Sequence, residues 1–212
     1  MVPFAVLVAL IPVAGALALP ARVELLARLI LPALALAFYW RALPAFHVER
    51  PVGSALVGLA VFAVWVAPDV LIPGWRTHWI FQNPVFGHLS VSMPPRSLGD
   101  PLDLLLRILR ATTVVALAEE IFWRGWFMRW LVSERFKSIP IGLYQARAFW
   151  LTAIFFAVEH GPYWEVGLAA GLVYNWWAIR SKSLGDLILA HGLTNAALAL
   201  FVILTRRWEF WM

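Results

Sequence analysis

Apolar residues run along this chain in unbroken stretches of membrane-crossing length, and that pattern settles the fold class before any motif is considered. Seven stretches can be drawn, at about Val2–Leu19, Leu25–Trp40, Val52–Ile72, Leu102–Val132, Ala146–His160, Glu165–Ile179 and Leu184–Thr205. A bilayer core calls for about 20 apolar residues in a helix, whereas a transmembrane strand shows about ten alternating ones. The stretches here are continuous, so the expected fold is an all-α, polytopic transmembrane helix bundle of about seven spans. Charge content agrees: 14% of the 212 residues are charged and 62% are hydrophobic, against about 25% charged in soluble domains. The first stretch lacks the positive flank of a signal peptide and outruns its apolar region, so it is read as a helix that spans.

The whole chain fits one membrane domain. Residues 1–101 hold the first three spans and a Pro-rich interval with Pro73, Pro84, Pro94, Pro95 and Pro101; residues 102–212 carry the chemistry. The interval's aromatics are expected at the membrane interface, and its His78 and His88 in solvent. Pro12, Pro32 and Pro68 sit where they would kink the early spans. Cysteine is absent, which excludes disulfides, thiol catalysis and cysteine metal sites. The net charge of +5 does not indicate nucleic acid, because the basic residues are scattered at helix ends rather than gathered in a stripe. Arg107 and Arg110 are expected at the lip of the fourth span, snorkelling to the headgroups. Tryptophans near span ends read as interfacial anchors. The loops after the second, fourth and sixth spans hold Arg41, Arg50, Arg135, Lys137, Arg147, Arg180 and Lys182, while the opposite side holds Arg22, Arg76, Arg96, Arg206 and Arg207. That bias favours a cytoplasmic N-terminus and an external C-terminus.

Against this apolar background, Ala118-Glu119-Glu120-Ile121-Phe122-Trp123-Arg124-Gly125 stands out. A charge at the bilayer centre costs roughly 2.5–3.5 kcal/mol on insertion scales, so ionisable groups there need a reason. Neighbouring helix residues point about 100° apart, so the two glutamates cannot share one task. Glu120 and Arg124 are i,i+4 with the acid first, the favourable order for an ion pair. Glu119 is left without a local partner and must find one on another helix. His160 ends the fifth span just before Gly161 and Pro162, which break the helix; Glu159 beside it faces elsewhere. His191 and Asn195 lie on one face of the seventh span. Gly167-Leu168-Ala169-Ala170-Gly171 is a small-residue pattern that permits close helix packing. A carboxylate, two imidazoles and an amide from three helices are the groups needed to activate water and stabilise an oxyanion. The same groups could hold zinc, although the H-E-x-x-H motif is absent.

In order and spacing, Glu119-Glu120-x-x-x-Arg124, Phe156-x-x-x-His160 and His191-x-x-x-Asn195 resemble the three motifs of the CAAX-protease and bacteriocin-processing (CPBP, or Abi) family of intramembrane endopeptidases. The resemblance covers about Leu102–Leu204 and places the catalytic core in the last four spans. Ser183-Leu184-Gly185-Asp186 departs from the family's usual run before the histidine, with a changed cavity wall as the expected effect. The resemblance implies a CAAX prenyl endopeptidase-like protease, a hydrolase acting on a peptide bond of a membrane-associated protein or peptide. It implies catalytic roles for Glu119, His160, His191 and Asn195, with Glu120, Arg124 and Phe156 in support. Glu119 and His160 would activate water; His191 and Asn195 would stabilise the oxyanion or help bind a metal. A metalloprotease with zinc or another divalent ion on Glu119, His160 and His191 and a metal-free glutamate mechanism both fit the family. The implied location is an integral membrane protein of a bacterial or archaeal cell membrane, with no nucleic-acid partner. Two other classes use similar residues: a non-catalytic scaffold, immunity or protein-sorting accessory, and a proton-coupled transporter. A transporter would be expected to show matched broken helices and repeat symmetry, which the sequence lacks.

Overall fold

The computed structural model describes residues 1–211, and every regular element among them is helical, with a single isolated bridge between Asn83 and Gly87. Each apolar stretch forms a helix. These are α1 (Val2–Ala16), α2 (Ala21–Phe38), α3 (Pro51–Leu71), α4 (residues 101–130), α5 (Ala146–Glu159), α6 (Trp164–Ser181) and α7 (Leu184–Thr205). By length and composition, α3 and α7 qualify as membrane-crossing helices, and α1 is a shorter apolar one. Pro12, Pro32 and Pro68 are all accommodated inside helices.

Local chemistry sets the boundaries. Asp100 caps α4, its side chain accepting from the backbone N–H of Leu102 (2.9 Å) and Asp103 (3.3 Å), with Pro101 in the first position where its missing N–H costs nothing. Ser183 caps α7 by accepting from Asp186 N. Asp186 does not alter the cavity wall: it is fully buried and its Oδ1 accepts from the backbone N–H of Glu49 and Arg50, tying α7 to the start of α3. The α5–α6 turn passes through Gly161 at φ +52°, a left-handed conformation that suits glycine.

Helix α4 is not a plain α-helix. It is α-helical over Pro101–Leu109, widens to π-helix over Arg110–Val115, returns to α over Ala116–Glu120, and widens again over Ile121–Phe127. The acidic pair therefore sits in one short α segment between two π segments, a distortion frequent at functional sites.

Packing follows the small residues. A Cβ on Gly58 of α3 would lie 2.4 Å from the Ala190 carbonyl of α7, so the two backbones touch. Gly171 of α6 meets Ala153 of α5 in the same way, and Gly167 meets Ala157 and His160. The small-residue pattern does the packing work expected of it. Between the helices lies a core that includes Ile121, Trp123, Phe156, Tyr174, Leu187 and Ala190. Leu34, Phe38, Leu56, Leu200 and Leu204 point outward and are exposed. An apolar coat of this kind suits lipid better than water. Several tryptophans, including Trp40 and Trp79, are exposed as interfacial anchors would be, whereas Trp123, Trp177 and Trp211 are buried.

The interval between α3 and α4 folds back onto the bundle. Arg76 pins it, donating to Asp69 (2.5 Å), Glu165 (2.6 Å) and the Pro162 carbonyl (2.7 Å). Phe81 and Met93 of this interval are buried. The same interval overturns one sequence expectation: Arg107 and Arg110 do not snorkel. They are 7% and 6% exposed, covered by Ser92, Met93 and Pro94 together with Glu24 and Arg28 of α2.

Candidate active site

The two glutamates of α4 separate as helical geometry requires. Glu120 is fully buried and its Oε1 is shared: Arg124 Nη1 donates to it at 3.0 Å and His191 Nδ1 at 2.9 Å. Arg124 makes the i,i+4 pair anticipated from the sequence. It also donates from Nε to Asn175 Oδ1 (2.9 Å) and from Nη2 to the Gly171 carbonyl (3.2 Å), with its guanidinium 4.7 Å from the centre of the Phe156 ring. One arginine thus binds α4 to α6 and leans on α5. Asn175, fully buried, is a support that no motif marks; it donates in turn to the Phe149 carbonyl.

Glu119 turns the other way, into a cavity of about 160 Å³ shared with His160, His191, Asn195 and Phe156. Its Oε2 lies 3.9 Å from His191 Nε2 and has no hydrogen-bond partner among the described residues. The expected convergence of three helices therefore holds, and all four proposed catalytic side chains line one cavity. His78 and His88 do not line it. Glu159 faces outward, as expected, where its carboxylate accepts from Trp123 Nε1 at 3.1 Å.

The histidines have defined tautomers. His160 Nδ1 lies 2.6 Å from the Phe156 carbonyl, and His191 Nδ1 lies 2.9 Å from the Glu120 carboxylate. A carbonyl or carboxylate oxygen can only accept, so both Nδ1 atoms carry protons and donate. Each neutral ring then keeps the lone pair on Nε2. Phe156 contributes more than a wall: its carbonyl sets the His160 proton, and its ring centroid is 4.6 Å from that imidazole. Asn195 spends one amide hydrogen on the Ala111 carbonyl at 2.8 Å, which holds its head at the cavity edge.

Three wall residues carried no sequence signal. Trp65 of α3 packs edge-on against His160, with centroids 5.1 Å apart. Tyr174 of α6 stacks on His191 at 5.2 Å and donates to Thr194 Oγ1 at 2.7 Å. Thr194 Oγ1 lies 2.8 Å from the Gly58 carbonyl, linking α6, α7 and α3 behind the imidazole. A Trp, a Tyr and a Thr in apolar helices look like core and interface residues, so only the folded arrangement reveals them.

Histidines that donate Nδ1–H to an oxygen and offer Nε2 have the arrangement typical of metal ligands. Among the described residues, however, no three His, Asp or Glu side chains gather closely enough to hold a metal.

A larger apolar groove of about 670 Å³ runs along α2, α4 and α7, past Leu36, Thr112, Leu117 and Gly192. It lacks ionisable groups, so the smaller cavity is the one equipped for bond breaking.

Comparison with curated proteins and with solved structures finds no match. Residues 101–197 match the family described as Type II CAAX prenyl endopeptidase Rce1-like. The matched segment begins with α4 and contains Glu119, His160, His191 and Asn195, while Trp65 of the cavity wall lies outside it. Through this segment, which is less than half of the 212 residues, the chain is similar to the family described as Type II CAAX prenyl endopeptidase Rce1-like.

Proposed function

We propose that this protein is an intramembrane endopeptidase that hydrolyses a peptide bond of a membrane-associated protein or peptide, with Glu119 as the group that activates water. The observation that carries this reading is the contrast on α4. Glu120 is held by Arg124 and His191, while the adjacent Glu119 presents an unpartnered oxygen to a cavity lined by His160, His191 and Asn195.

The chemistry follows from those groups. Water in the cavity gives a proton to the Glu119 carboxylate as its oxygen attacks the peptide carbonyl carbon. His160, accepting at Nε2, orients that water. Negative charge then moves to the carbonyl oxygen, where the second amide hydrogen of Asn195 is available to it; preorganised donors of this kind contribute strongly to acyl transfer. The carbon–nitrogen bond breaks as Glu119 returns its proton to the departing amine. Arg124 and Glu120 fix the His191 ring without touching substrate. The apolar groove beside Gly192 suits an acyl or isoprenoid chain, consistent with a prenylated tail as substrate. On this reading the seven helices cross the membrane of a bacterial or archaeal cell.

A mass-spectrometric survey of peptide termini tests the proposal. Membranes from cells making the wild-type chain are compared with membranes holding Glu119→Gln at equal abundance. Termini found only with the wild type are expected, and they name the substrate. Equal termini in both, with both proteins folded and substrate present, would remove Glu119 from any proteolytic role.

A further inference from the structure

Helix α5 stops at Glu159, so His160 sits where regular backbone ends: its φ and ψ are −90° and 7°, and Gly161 follows at φ +52°. No further helical turn steers its side chain. The imidazole has one hydrogen bond, from Nδ1 to the Phe156 carbonyl at 2.6 Å. That bond decides which nitrogen carries the proton. It does not fix the plane of the ring, because the directions from which a carbonyl oxygen accepts are broad. Packing must therefore hold Nε2 toward the cavity.

The packing comes from three helices. The Phe156 ring of α5 lies 4.6 Å from the imidazole at 49°. Helix α6 passes close by at Gly167, where an added Cβ would lie 3.2 Å from His160 Cβ. Trp65 of α3 meets the imidazole edge-on, at 5.1 Å and 71°. Phe156 and Gly167 belong to the segment that carries the motifs, whereas Trp65 precedes it.

Trp65 is itself held in place. Its ring stacks on Tyr163 at 14°, with centroids 6.0 Å apart. Tyr163 is 3% exposed, its hydroxyl donates to the Glu209 carbonyl at 3.2 Å, and the Arg76 guanidinium lies 4.2 Å from the centre of its ring. Arg76 is in turn bound to Asp69, Glu165 and the Pro162 carbonyl. A continuous stack thus runs from the interval between α3 and α4, through Tyr163 and Trp65, to the imidazole.

We propose that Trp65, braced by Tyr163, is a positioning residue that fixes the plane of the His160 ring and so aims Nε2 at the attacking water. Trp65 acts through His160 rather than on the substrate. The effect on cleavage rests on the endopeptidase reading; the order of the ring does not. The brace gives a helix and an interval that carry no motif a part in the chemistry.

The test reads ring order and turnover separately, with full-length protein in detergent micelles. Nuclear magnetic resonance of protein labelled with ¹⁵N in its histidines reports the imidazoles, and His160→Gln identifies the His160 signals by their loss. Wild type and Trp65→Phe are expected to give one sharp set with the proton on Nδ1. Trp65→Ala is expected to broaden or split that set, and Tyr163→Leu to do so more weakly. Circular dichroism checks each fold, and Trp65→Leu, which fills more of the space without an aromatic edge, stands in if Trp65→Ala does not fold. Cleavage is measured on a synthetic peptide spanning a junction found in the survey of termini. Trp65→Ala is expected to lower kcat about tenfold to a hundredfold with KM within about twofold, as a misplaced catalytic group does, and Trp65→Phe to recover most of it.

Unchanged His160 signals in folded Trp65→Ala would overturn the proposal. A raised KM at constant kcat would also overturn it, making Trp65 a wall against the substrate. Trp65→Phe as impaired as Trp65→Ala would do the same by assigning the effect to the indole N–H. Tyr163→Leu with wild-type signals and kcat would remove the brace. Wild type that cleaves nothing would sink the endopeptidase reading, while a His160 ring ordered in wild type and disordered in Trp65→Ala would still uphold the brace.

Discussion

Helix α4 carries two buried arginines that live in opposite circumstances. Arg124 is 1% exposed and donates to Glu120, Asn175 and the Gly171 carbonyl. Arg110 is 6% exposed, in a cluster of three arginines with one glutamate, and two of its nitrogens have no partner. In the first, every guanidinium nitrogen has a partner, while Glu120 Oε2 is left without one, and the pairing orders the bundle and the His191 ring. The second is an incomplete network. Burial alone therefore does not say what a charge is for; the accounting of its donors does. The same distinction separates the adjacent acids: Glu120 is engaged by two cationic or donor groups, and Glu119 keeps an open oxygen toward the cavity.

The comparison can be broken at several points. Glu119→Gln removes the one acid among the described residues that faces the cavity with a free oxygen, and cleavage should fall by at least about 10²–10⁴-fold, the usual worth of general-base catalysis. Circular dichroism of the variant should match the wild type. Glu120→Gln at equal turnover would show that the two acids had been assigned the wrong way round.

Arg124→Ala should be the largest loss of stability, about 3–5 kcal/mol, because it strands the Glu120 carboxylate in the core. Thermal unfolding in detergent reads this directly. Replacing both partners, Glu120→Met with Arg124→Met, should recover much of that stability without activity, since His191 loses the oxygen that fixes its tautomer. Arg110→Met should behave in the opposite way to Arg124→Ala. It breaks no hydrogen bond of Nε or Nη1 and relieves repulsion from Arg107 and Arg28, so the melting temperature should hold or rise. A fall comparable with that of Arg124→Ala would mean that the cluster is already satisfied.

Tyr174→Phe should cost about 1 kcal/mol by removing one buried hydrogen bond to Thr194. Its effect on turnover should be modest, because the stacking on His191 survives.

The smallest effect concerns Asp100 at the start of α4. The Asp103 backbone N–H, followed by that of Leu102 and the Arg22 guanidinium, holds this carboxyl below its ordinary range. Stability from a depressed carboxyl is present above the unfolded value and is lost as pH falls through the folded one. The melting temperature of Asp100→Asn should therefore converge with that of the wild type on acidification. A gap that widens toward acid would reverse the assignment.

Much of this arrangement was readable in advance, and the reason is local. Long runs of apolar residues favour helices, and the seven stretches became seven helices, of which α3 and α7 are long and apolar enough to cross a membrane. The Glu120–Arg124 pair and the separation of Glu119 from Glu120 follow from 3.6 residues per turn. The shared cavity of Glu119, His160, His191 and Asn195 was anticipated from motif order, because costly polar groups in apolar helices have few places to go but toward one another.

What only the tertiary structure decided involves partners distant in sequence. Local spacing could not tell that His191 donates to Glu120 rather than to Glu119, nor that Asn175 and Gly171 complete the Arg124 network. Trp65 reaches the cavity because Gly58 lets α3 touch α7, a contact outside the segment that carries the motifs. Arg107 and Arg110 were misplaced at the membrane lip for the same reason: the residues that bury them, Glu24, Arg28 and Ser92–Pro94, come from another helix and from a loop. Periodicity determines which way a side chain points on its own helix; what it meets there is fixed by packing between helices, which no single stretch encodes.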